Sequence, residues 1–103
     1  MESLNKKISS YRKSELKFFC LQYEEWKVKI NKCVDISEKE KLINKCKMVE
    51  QAALQADGSI YTYIIKNVTQ KIPYECLGVP CCRQYFYEKR GEFFRILNQL
   101  HNS

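Results

Sequence analysis

Seven side chains in the last third of this chain carry groups that can read or grip a nucleic acid. Arg83 and Gln84 come first, followed one helical turn later by Tyr87 and Glu88. Arg presents two parallel donors that match a guanine edge, and Gln presents a donor–acceptor pair that matches adenine. Each such pairing gives roughly 1–3 kcal/mol of discrimination between bases. Tyr87 suits a thymine methyl and Glu88 a cytosine amine, so base contacts are expected from these four. Lys71, Lys89 and Arg90 are better suited to phosphates, which fix register without reading sequence. The plainer alternative for every one of these residues is a solvated polar helix face.

Other chemistries lack their parts. Nucleophilic catalysis needs a base beside the nucleophile, but His101 is the sole imidazole and is expected in a frayed tail. No Gly-rich loop offers backbone N–H groups to a phosphate. The adjacent acids Glu24 and Glu25 read as a charged helix face. An enzyme is therefore not expected. Cys20, Cys33, Cys46, Cys76, Cys81 and Cys82 show no Cys-x-x-Cys spacing, and neighbours such as Cys81 and Cys82 cannot easily share one tetrahedral ion. They are read as reduced, metal-free thiols filling apolar space, and no cofactor is expected.

The elements that must position the seven residues follow from the punctuation around them. Pro73 suits the first turn of a helix, where its missing N–H has no partner to lose. The short amphipathic segment from Pro73 to Leu77 then meets Gly78, which can take positive φ. A final helix is expected from near Pro80 to about Leu100, burying Phe86, Phe93, Leu97 and Leu100 and turning Gln84, Glu88, Gly91 and Arg95 to solvent. Two helices joined by such a corner cross steeply, the arrangement that places a second helix in a major groove.

Upstream, Leu16, Phe19, Tyr23, Trp26, Ile30 and Cys33 recur at steps of three and four. Leu42, Cys46, Val49, Ala53, Ala56 and Ile60 do the same. These seams predict two amphipathic helices. A short join around Lys32 to Ile36 makes them an antiparallel hairpin, with Ser37 and Glu40 spaced as a capping box. Asp57 is placed to cap a third helix with Ile60, Ile64 and Val68 on one face, ending near Thr69-Gln70. The expected fold is all-α: a helical hairpin over residues 1–56, then a helix-turn-helix unit with a long last helix over 57–103, together one compact domain. Phe18 and Leu21 lie off the first seam. With Phe19 and Trp26 they exceed what one neighbouring helix covers, so a homodimer or partner contact through these four is expected.

The 103 residues carry a formal charge of +6, with hydrophobic residues at 45% and charged residues at 29%, a soluble balance. Residues 1–32 hold eight Lys/Arg against four acids, and residues 78–103 hold four against two, whereas the middle is balanced. Basic ends favour a polyanion modestly. No apolar run approaches the roughly 20 residues that span a bilayer, so no membrane partner is expected. Met1 to Lys7 lack the hydrophobic core of a secretory signal, which points to a cytoplasmic location.

The stretch from about Met48 to Leu97 resembles a known group, most clearly in Val49-Glu50-Gln51-Ala52-Ala53-Leu54, in Ile72-Pro73-Tyr74-Glu75-Cys76-Leu77 and in Val79-Pro80 through Arg90. It is similar to small transcriptional regulators of prophages and conjugative elements, the RinA/ArpU type, whose C-terminal part looks like region 4 of sigma factors. The resemblance implies a scaffold helix, a turn, and a recognition helix beginning near Arg83. It also implies a double-stranded DNA target, with dimerisation or RNA polymerase contact through the N-terminal hairpin. The corner is shorter than in most region 4 sequences, and nothing here corresponds to a −10-reading region. The function expected is sequence-specific DNA-binding regulation. Its alternatives are a protein-binding adaptor working through the hairpin and a small terminase-like DNA-packaging subunit.

Overall fold

Apolar spacing dictates where the helices fall, and a computed structural model shows how they pack. It describes residues 8–102; residues 1–7, read above for a targeting signal, and residue 103 lie outside the described part. The chain is all-α, with no strand among the described residues. Helix α1 spans Ser10–Leu21 and is capped by Ser9, whose hydroxyl accepts the Arg12 N–H at 3.1 Å. Helix α2 (Tyr23–Lys32) follows after Gln22 alone.

The first seam predicts one continuous helix, and the break at Gln22 corrects it. No Gly or Pro marks the spot. The Gln22 N–H bonds the Phe19 carbonyl at 3.3 Å, and its side-chain amide donates to the Phe18 carbonyl at 3.2 Å. The carbonyls freed at the end of α1 thus keep partners. What the break allows is tertiary: α1 turns to meet α4 and α5, burying Leu16 and Cys20, whereas α2 pairs with α3 and buries Tyr23 and Trp26. The hairpin is therefore α2 with α3, and α1 packs separately.

Helix α3 spans Ile36–Ala56 and its cap is Asp35, earlier than the expected Ser37. Asp35 Oδ1 accepts the Ser37 N–H at 3.0 Å, so the serine lies inside the first turn. Along its length α3 buries Leu42, Cys46, Val49, Ala52, Ala53 and Ala56. It packs against α2, α4 and, most extensively, α5. Small alanine side chains on this face permit a close helix approach, since side-chain size sets interaxial distance.

Helix α4 (Tyr61–Gln70) buries Ile64, Val68 and Thr69. Asp57 does not cap it as expected: its Oδ1 accepts the Ser59 N–H at 2.8 Å, closing the turn before Ile60. Helix α5 (Arg83–His101) supplies the three largest fully buried side chains, Phe86, Phe93 and Phe94, with Leu97 beside them. His101 is exposed, but it is the last residue of this helix and is held by surface contacts, where a frayed tail is expected. It meets Phe19 edge-on at 4.8 Å, and its Nδ1 lies 3.2 Å from the Arg12 guanidinium. One buried cluster draws on both segments 1–56 and 57–103. No helix among the described residues is long and apolar enough to cross a membrane.

Candidate nucleic-acid interface

The segment before α5 differs from the expected corner. Pro73 to Leu77 was too short to repay the cost of nucleating an α-helix, and it forms a single 3-10 turn over Tyr74–Cys76. Lys71 ends α4 in the left-handed region at φ 59°, and Gly78 turns the chain at φ 70°. The Tyr74 hydroxyl donates to the Cys81 carbonyl, and the Asn67 amide donates to the Ile72 carbonyl at 2.9 Å. With Cys82 extended at φ −74°, ψ 161°, the last helix opens at Arg83 and not near Pro80. Residues 71–82 therefore form an ordered connection that is longer than the steep corner expected of the sequence.

Arg83 and Gln84 both stand exposed in the first turn of α5. Arg83 is ion-paired to Glu75 of the 3-10 turn, and its guanidinium lies 5.2 Å from the Tyr87 ring centroid. Gln84 and Glu88 face solvent. Tyr87 is half-buried between two guanidinium groups, Arg83 on one side and Arg90 at 5.5 Å. Its ring also meets Phe86 at 5.4 Å and Tyr74 at 6.5 Å, which makes it a spacer that sets the arginines. Lys89 bridges Glu92 at 3.7 Å and sits 5.4 Å from the Tyr85 ring. Lys71 is exposed. Arg90 is half-buried with its Nε enclosed, and so is less open than the phosphate contact expected. Burial pushes its pKa down, and its guanidinium lies 5.3 Å from the Phe94 ring.

The expected partner surface divides in the same way. Phe18 is 71% exposed, but Trp26 is only 4% exposed and belongs to the core. Phe19 is half-buried against Trp26 and His101, at 4.8 Å from each ring, and Leu21 is half-buried as well. The kink at Gln22 explains the difference, because it rotates the second half of the seam onto α3.

Residues that sequence reasoning passed over now join the site. Glu75 holds Arg83. Lys13, half-buried on α1, has its ammonium pushed below the usual lysine range by burial, then by the nearby charges of Arg90, Lys17 and Arg95. The one sequence signal for this cluster was the basic excess in residues 1–32. The cysteines divide by burial. Cys20 and Cys46 are buried, with the Cys20 thiol pushed up to about 12 by burial, whereas Cys76 and Cys82 are exposed. No group of three His, Cys, Asp or Glu side chains that could hold a metal ion comes together among the described residues. No protein family, curated protein or solved structure matches this chain.

Proposed function

We propose that this chain binds duplex DNA with sequence preference through the first turns of α5, as a transcriptional regulator of the kind carried by prophages and conjugative elements. One observation carries the reading. Arg83 and Gln84 are exposed at the start of a helix whose other face locks Phe86, Phe93 and Leu97 into the core. Side chains aimed from a fixed helix reach base edges with little loss of orientation. No side chain caps the N-terminus of α5, and its dipole favours a phosphate there.

Glu75 is the partner that DNA must displace. An exposed ion pair contributes no more than about 1 kcal/mol, whereas a bidentate arginine–guanine contact discriminates by roughly 1–3 kcal/mol. Exchange is favourable. Lys71 and Lys89 flank the turn as phosphate contacts, and Glu88 requires a cytosine amine to offset its charge. Self-association through Phe18 and Leu21 belongs to the same reading, because pairing two short readers multiplies a limited affinity.

Selection of bound duplexes from a random pool tests the proposal. On the selected site Arg83→Ala is expected to cost roughly 1–3 kcal/mol and to relax the preference. Lys89→Ala should weaken all sequences alike and lower the salt slope by about one counterion. Equal losses on selected and random duplexes would confine α5 to phosphates, and no loss from either variant defeats the reading. A protein-binding adaptor is the second reading. It is favoured by large side chains left exposed away from α5, namely Tyr11, Phe18, Val34 and Ile36.

A further inference from the structure

Cations and rings alternate from the start of α5 across to α1. Tyr87 lies between Arg83 and Arg90, at 5.2 and 5.5 Å, and Phe94 lies between Arg90 and Lys13, at 5.3 and 5.8 Å. Gly91 sits beside this row and leaves the α5 backbone open: a Cβ there would meet only the Arg95 guanidinium, at 3.8 Å. Lys13, Lys17, Arg90 and Arg95 make no ion pair with a carboxylate among the described residues. Arg90 Nε is buried without a hydrogen-bond partner. Glu88 and Glu92 line the same hollow as Gly91 and Arg95, with Glu92 drawn to Lys89 at 3.7 Å, so the uncompensated charge centres on Lys13, Lys17 and Arg90. Like charges held together repel, and an anion placed among them relieves the repulsion.

We infer that the α1–α5 patch formed by Lys13, Lys17, Arg90 and Arg95 is a second contact with DNA, a track for the sugar-phosphate backbone. The inference rests on the DNA-binding reading of Arg83 and Gln84 and extends it to α1. Arg83 and Arg90 are two turns apart, about 10 Å along the axis at 1.5 Å per residue. The rings within the patch are largely covered, so it offers charge in a row and no apolar group for a lipid surface.

The test compares the full chain with Lys13→Gln/Lys17→Gln and with a control of equal charge change, Lys41→Gln/Lys47→Gln on α3. Affinity is measured on two duplexes of unrelated sequence between about 50 and 200 mM salt, where phosphate contacts dominate the salt dependence. The α1 variant is expected to lose about tenfold or more on both duplexes, with a log–log salt slope lower by about two, at 0.9 per contact. The control should keep the wild-type slope. Equal losses in both variants, or an unchanged slope in the α1 variant, overturn the track while leaving the Arg83 reading in place. Failure of the wild-type chain to bind any duplex overturns both. Tighter binding to anionic phospholipid vesicles than to duplex, abolished in the α1 variant, overturns DNA as the occupant.

Discussion

Arg83, the first residue of α5, is ion-paired to Glu75 in the 3-10 turn before it. The two side chains remain 61% and 60% exposed, so water screens the pair and either partner can exchange. On the proposed DNA-binding reading, the carboxylate occupies the place a base edge or phosphate would take. Glu75→Gln is therefore expected to tighten duplex binding by up to about fivefold, the equivalent of the 1 kcal/mol ceiling for an exposed pair. Folding stability should fall by no more than the same amount. Weaker binding by this variant, read from anisotropy titrations, would mean that Glu75 orients Arg83 and does not compete for it.

Cys82 occupies the N-cap of α5 with extended backbone angles, yet its side chain makes no capping bond. A serine hydroxyl at such a position accepts an N–H from the first turn. Cys82→Ser is expected to stabilise the fold by about 1 kcal/mol, seen as a higher urea midpoint with unchanged slope. An unchanged or lower midpoint would show that the loop before α5 holds this residue away from capping geometry.

The last helix was legible because burial enforces its spacing: Phe86, Phe93 and Leu97 recur at helical steps and all three are core. Phe94 was missed because its neighbour already filled the seam, and its burial depends on α1 lying over it. Nothing local announces the break at Gln22. Its flanking residues are ordinary helix residues, and only packing against α4 and α5 explains it. The same tertiary choice buried Trp26 and left Phe18 outside. Arg83 and Gln84 could be placed from the punctuation around Gly78 and Pro80, within three residues of the true start. The pairing of Glu75 with Arg83 and the approach of Lys13 to Arg90 could not, because both require the path of the chain in space.

Gly91 lies inside α5, where glycine is about 0.5–1 kcal/mol less favourable than alanine. The position has room for a methyl group. Gly91→Ala is expected to raise stability by about that amount. The same methyl narrows the notch beside Arg95, so a phosphate lying there would be held less tightly. Gain in thermal midpoint with unchanged duplex affinity would place the backbone track away from Gly91.

Thiol reactivity should follow burial, since the thiolate is the attacking species. Cys20 is buried with its pKa pushed up to about 12, and Cys46 is buried with its pKa raised chiefly by desolvation. Cys76 and Cys82 are exposed. Iodoacetamide at neutral pH is expected to modify Cys76 and Cys82 in the native protein and to reach Cys20 and Cys46 only on unfolding. Peptide mass spectrometry after timed quenching gives the order, and early labelling of Cys20 would contradict the packing of α1. Alkylation at Cys82 by a bulky reagent should also block duplex binding, because that residue adjoins Arg83.

The Tyr85 hydroxyl donates to the Asp57 carboxylate, tying the start of α5 to the junction between α3 and α4. This bond is the chief reason the Asp57 pKa lies below the ordinary carboxylate range. A carboxylate with a depressed folded pKa adds stability that is fully present above its unfolded value, about 3.9 for Asp. That contribution is lost as pH falls through the folded value. Tyr85→Phe removes the donor, so the Asp57 carboxyl resonance should titrate at a higher pH in the variant. The variant should also be less stable than wild type at neutral pH, with the gap closing as the pH drops below about 4. On the alkaline side the bond favours the protonated phenol, whose pKa is raised chiefly by Asp57, so this contact also fades as pH rises through the folded tyrosine value. Equal Asp57 titration midpoints in the two proteins would show that the tie does not persist in solution and that α5 is anchored by its phenylalanines alone.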